Sequence, residues 1–85
     1  MVSNRHRRTY EALLKSPVRA DIAWRDVEAL LKALGAEVTE GNGSRVRVHL
    51  NGISAVFHRP HPRKEIVRGA VRSVREFLEK AGVKL

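Results

Sequence analysis

Between residues 45 and 58 the chain reads RVRVHLNGISAVFH, and its chemistry-bearing side chains recur at every second position. Arg45, Arg47 and His49 alternate with Val46, Val48 and Leu50, and Ser54 and His58 fall at alternate positions on the way back. Guanidiniums and imidazoles gathered on one surface suit work on a phosphodiester. Breaking an RNA backbone without a metal needs a base for the 2′-hydroxyl, cations for the charged phosphorane and an acid for the leaving oxygen. Histidine moves protons near neutrality. Arginine supplies the charge, and its planar fork matches phosphate. His58 is therefore the candidate base and Arg45 the candidate phosphate holder, with His49 and His61 next in line. Other chemistries fit less well. Ser44 and Ser54 have no base–acid relay to make a serine nucleophile. His58 and His61 lack a nearby carboxylate to complete a metal set. Neither a metal nor a small-molecule cofactor is expected. His6 reads as part of a solvated arm, and Glu65 as a local cap or pairing partner.

These side chains share a surface only if the segment is a hairpin. Asn51-Gly52 is the strongest short signal for one. With a two-residue turn there, Leu50 faces Ile53, His49 faces Ser54, Arg47 faces Val56 and Arg45 faces His58. The pleat then sends Val46, Val48, Leu50, Ile53, Ala55 and Phe57 to one face, the core. Arg45, Arg47, His49, Ser54, Val56 and His58 share the other. AEVTE, residues 36–40, supplies a first short strand, and GNGS turns it into the hairpin.

Around the sheet the period changes to that of a helix. WRDVEALLKALG spaces Val27, Leu30, Leu31 and Leu34 along one stripe, with Gly35 placed as a C-terminal cap. Trp24 stands at its start as a core or rim anchor. GAVRSVREFLEKAG spaces Val71, Val74, Leu78 and Ala81, with Phe77 beside them, and Glu76 precedes Lys80 by the four residues that favour an ion pair. Arg68, Arg72 and Arg75 lie toward the start of this helix, where cations oppose its dipole. Near the N-terminus Tyr10, Leu13 and Leu14 make a short helix, capped by Ser3 or Asn4, which ends at the Ser16-Pro17 break. RPHPRKEIVRG is a loop stiffened by Pro60 and Pro62. The predicted order is α-α-β-β-β-α. Such a chain is an α+β domain, with helices on one face of a three-stranded antiparallel sheet and the other face left for a ligand.

The chain has 85 residues, room for one domain. Lys and Arg number 17 against 9 Asp and Glu, a formal charge of +8. Such a balance favours nucleic acid over a membrane surface, since no long basic amphipathic helix is present. There is no cysteine, no apolar run near the roughly 20 residues that span a bilayer, and no signal-peptide pattern at the N-terminus. A cytoplasmic protein is expected.

From Trp24 to Val83 the chain resembles the HicA family, the toxins of HicA–HicB toxin–antitoxin pairs. VEALLKALGAEV resembles the family's first core helix and strand. GNGSRVRV stands where the family has a glycine-serine turn. HPRKEIVRGAVRSVREFLEKAGV, with its histidine, basic pair, Gly69 and AGV ending, is the most specific match. The resemblance implies residues 24–85 as the core domain and residues 1–23 as a basic helical extension. It implies a fold like that of a double-stranded RNA-binding domain, and activity as a ribosome-independent mRNA interferase, an endoribonuclease that arrests growth. It also implies a HicB-type antitoxin that covers the active site. His61 and Lys64 fall on the family's histidine-plus-basic loop. Arg45, Arg47, Arg59, Arg63, Lys64, Arg68 and Arg72 are the expected RNA contacts. One position departs from the family. The histidine that usually follows the glycine-serine pair is Arg45 here, so this chain either cuts with another base, binds RNA without cutting, or is a degenerate toxin. A basic face that serves only the antitoxin is the remaining alternative.

Overall fold

Apolar residues at helical and strand spacing settle into six elements in the computed structural model, which describes residues 2–85. They are α1 (Asn4–Leu13), α2 (Trp24–Ala33), β1 (Glu37–Glu40), β2 (Arg45–Leu50), β3 (Ile53–His58) and α3 (Arg68–Lys80). The expected order is the observed one. Ser3 caps α1, its hydroxyl accepting from the His6 amide. At the end of α2, Gly35 takes φ +93°, a conformation that costs glycine little, and the chain turns there toward β1.

The sheet is antiparallel in the order β1-β2-β3. Every predicted pairing of the hairpin is present, from Leu50–Ile53 to Arg45–His58. Asn51 (φ 51°) and Gly52 (φ 82°) both take left-handed backbone, as the tight turn that matches strand twist requires. The Asn51 side-chain amide also donates to the Ala81 carbonyl at the end of α3, 2.8 Å away. The turn residue thus fixes the hairpin to a helix as well as reversing the chain.

Parity sorts the sheet as expected. Val46 and Val48 are fully buried, and Leu50 and Phe57 nearly so. Val27, Leu30 and Leu31 of α2 join Val71, Val74, Phe77 and Leu78 of α3 in the same core cluster. Phe57 is the pivot. Its ring meets Trp24 at 6.0 Å and stands edge-on to Phe77 at 5.8 Å. Such aromatic pairs add to the gain from burial itself. Glu76 and Lys80 form no ion pair among the described residues; the helical pair that forms is Glu28 with Lys32, at 3.1 Å.

The extension joins the same core. Leu13 of α1 is fully buried, the Tyr10 hydroxyl donates to the Val83 carbonyl at 3.4 Å, and Arg5 reaches Asp26 at 3.2 Å. Helices cover one face of the sheet and leave the other open. This is an α+β arrangement like that of a double-stranded RNA-binding domain, with α1 added ahead of it.

Candidate functional site

The open face of the sheet is a grid set by strand register. Glu37, His49 and Ser54 form one row across the strands, Thr39, Arg47 and Val56 the next, and Arg45 and His58 the last. All of these side chains are exposed. Strand parity puts them on this face, since Val46, Val48, Leu50 and Phe57 between them turn to the core.

The last row brings the candidate base and phosphate holder together. Arg45 turns its backbone toward β1: its amide donates to the Asn42 carbonyl at 3.2 Å, and its carbonyl accepts from the Gly41 amide at 2.9 Å. Arg45 and His58 are therefore a non-hydrogen-bonded pair across β2 and β3. In such pairs the Cα atoms lie about 4.5 Å apart and the side chains approach most closely. A guanidinium and an imidazole placed side by side on an open surface can engage one phosphate group. Beside them the turn before β2 closes a cleft of about 260 Å³, lined by Thr39, Asn42, Arg45, Arg47 and Val56.

His49 lies at the far end of the hairpin. It stands four positions along the same strand from Arg45, a run of about 13 Å at the usual strand rise. It does not share a phosphate with His58. Its Nδ1 is 2.7 Å from the Ser54 hydroxyl, which fixes the ring. His61 is exposed in the loop after β3, between Pro60 and Pro62. Of the four side chains expected to act in cleavage, register pairs two, Arg45 and His58.

The expected RNA contacts occupy three places. Arg45 and Arg47 are on the sheet. Arg63 and Lys64 are on the loop, around a groove shared with Trp24, Arg25 and Pro62. Arg68 and Arg72 are exposed on α3, where the Arg68 Nε donates to the Val18 carbonyl at 3.3 Å.

Arg59 is already engaged. One residue past His58, it has the opposite parity and turns away from the open face. Its guanidinium holds both carboxylate oxygens of Glu40, at 2.5 and 2.6 Å, and reaches Glu28 Oε1 at 3.1 Å. Trp24 Nε1 donates to that same Glu28 oxygen at 2.8 Å. One arginine thus ties the end of β3 to α2 and β1. Burial pushes the Glu28 carboxyl up, but hydrogen bonds from Lys32, Trp24 and Arg59 outweigh it and hold the group below its ordinary value of 4.5. The Arg59 hydrogen bond likewise lowers Glu40. A carboxylate whose folded value is depressed adds stability above its unfolded value and loses it as the pH falls through the folded one. The melting temperature should therefore fall as the pH drops below about 4.5. Arg59→Gln should melt lower at pH 7 and show a shallower acid dependence. Thermal melts between pH 3 and 7 check both; parallel curves for the two proteins would dismiss the clasp.

Sequence reasoning missed Thr39 and Asn42 beside the arginines, since the register of β1 depends on the GNGS turn. It also missed Arg25, which reads as a solvated helix residue until the loop folds back onto the start of α2. Among the described residues no three His, Asp or Glu side chains gather as metal ligands, and no helix is long and apolar enough to cross a membrane.

A protein-family model described as the HicA toxin of bacterial toxin–antitoxin systems matches residues 24–83. The match begins at the first residue of α2 and leaves α1 outside it. No curated protein and no solved structure matches the chain.

Proposed function

The chain belongs to the HicA family of toxins from bacterial toxin–antitoxin systems, and from that premise we propose that its open sheet face binds RNA and that Arg45 and His58 cleave it. The pairing of Arg45 with His58 carries this reading. It sets an imidazole beside a guanidinium in one row of an exposed basic surface. The imidazole of His58 takes the proton of an RNA 2′-hydroxyl. The 2′-oxygen attacks the adjacent phosphorus, and Arg45 holds the charge that collects on the phosphoryl oxygens. The bond from phosphorus to the 5′-oxygen breaks, and that oxygen takes a proton from the imidazolium or from water. The products are a 2′,3′-cyclic phosphate and a 5′-hydroxyl end. Arg47, Arg63, Lys64, Arg68 and Arg72 supply phosphate contacts, while Arg59, its charge balanced by Glu28 and Glu40, holds the end of β3 in place. With Trp24 and Phe57 buried, few rings are left to stack bases, so recognition rests on backbone and 2′-hydroxyl contacts. The proposed partners are mRNA and a HicB-type antitoxin, and the proposed site of action is the cytoplasm.

The test is incubation of the purified chain with end-labelled RNA in a chelator. Cleavage to cyclic-phosphate ends, and its loss when the antitoxin is added first, are expected. Intact RNA would end the nuclease reading.

Arg45 itself favours a second reading, RNA binding without turnover, because it replaces the residue from which the family ordinarily takes its base. On that reading the parent leaves RNA intact, and Arg45→His gains cleavage.

A further inference from the structure

β3 is an edge strand with one side paired to β2 and the other open. The backbone of Arg45 faces β1, so His58 opposite it directs its own amide and carbonyl away from β2. The alternation of an antiparallel ladder gives Val56 and Ser54 the same outward direction. Three residues of β3 thus offer donors and acceptors along a free edge, the template on which another strand can be added.

Beside that edge lies a largely apolar groove of about 330 Å³ between β3 and α3, lined by Val56, Phe57, His58, Ile66, Val67 and Ala70. Val56 is 51% exposed and Val67 64%. Folding does not account for Val67. It is the N-cap of α3, with no side-chain cap bond, and valine is among the poorest residues for that position. At this exposure it also gains little from burial. The residue is costly in the free chain and useful to one whose groove is filled.

We propose that the β3 edge and this groove form a docking site for an extended acidic segment of the cognate antitoxin, which adds as a fourth strand and places an apolar side chain over Val67. The proposal rests on the toxin–antitoxin membership alone and not on RNA cleavage. Charge selects the occupant. Arg68 follows Val67 at the start of α3, and the chain carries +8 overall. A second copy would bring the same net positive charge to the same edge, whereas carboxylates flanking an apolar residue would meet it favourably. The opposite edge, β1, carries Glu37 and Glu40 and suits such a segment less. Main-chain bonds with alternate side-chain pockets are a general mode of peptide capture.

The test uses the full chain with its cognate antitoxin. Val67→Ser and Val67→Asp both supply the missing cap, so both should melt at or above the parent's temperature. Val67→Ser should weaken the complex about tenfold, the loss of one partly buried valine contact. Val67→Asp should weaken it further, by repulsion of an acidic partner. On binding, amide exchange should slow at Ser54, Val56 and His58. RNA retention by Val67→Ser should match the parent's, which keeps this result separate from the nuclease reading. Unchanged antitoxin affinity in both variants, protection along Glu37–Glu40 instead, or a self-associated dimer through β3 would each overturn the proposal.

Discussion

The Arg45→Glu/Arg47→Glu double variant should lose RNA affinity by about 100- to 1,000-fold near 0.1 M salt while keeping its fold. Both side chains are exposed and have no ion-pair partner among the described residues, so the reversal breaks nothing within the protein. Their charge is therefore free for a ligand. Each phosphate neutralised on a single strand releases counterions and adds about 0.7 to the salt slope. Removing two such contacts should lower the slope by about 1.4, and the new carboxylates add repulsion. Filter retention of a labelled single strand across a salt series measures both. The loop cations give the contrast. Arg63→Glu/Lys64→Glu removes as much charge from a different surface. If it matches the sheet variant in both affinity and slope, the sheet has no special place in RNA binding and net charge alone explains retention.

Which parts of this surface were legible beforehand follows from what local sequence controls. Alternation in RVRVHL and ISAVFH, with Asn51-Gly52 between them, specified the hairpin register, because one buried face forbids a slip of one residue. That register alone placed Arg45 opposite His58. The stripes of α2 and α3 were equally plain, since their apolar spacing is helical throughout. Distance along the ladder was already implied as well: His49 belongs to the same face as His58 but to another row, and parity by itself does not make neighbours. What stayed hidden depended on long-range closure. Nothing near Arg59 announces Glu28 or Glu40, which come from elements 31 and 19 residues away. Arg59 reads as another basic loop residue until its carboxylates arrive. The groove beside Val67 is invisible for the same reason, being formed by β3 and a helix start that meet only in the folded chain.

The second large effect separates a nuclease from a binding module. His58→Ala should reduce RNA cleavage by about 1,000-fold, within the range that general acid–base groups contribute, while RNA affinity changes by no more than about threefold. The two quantities part because the residue has two attributes of unequal weight. The imidazole adds little to phosphate binding, which the guanidiniums dominate, but on the proposed mechanism it accepts the proton beside the phosphate. His58 is exposed, and its side chain makes no hydrogen bond or ion pair within the described residues; truncation should leave the melting temperature within a degree or two. His49→Ala provides the internal control. It removes an imidazole from the same face, with a hydrogen bond to Ser54 as the only structural loss, yet about 13 Å from Arg45. Its cleavage rate should stay within a few-fold of the parent's. Equal losses from the two substitutions would mean that histidines on this face act through binding, and the row of Arg45 and His58 would have no catalytic meaning. A parent that cleaves, with His58→Ala as fast as the parent, would move the base elsewhere, with His61 the next imidazole along the chain.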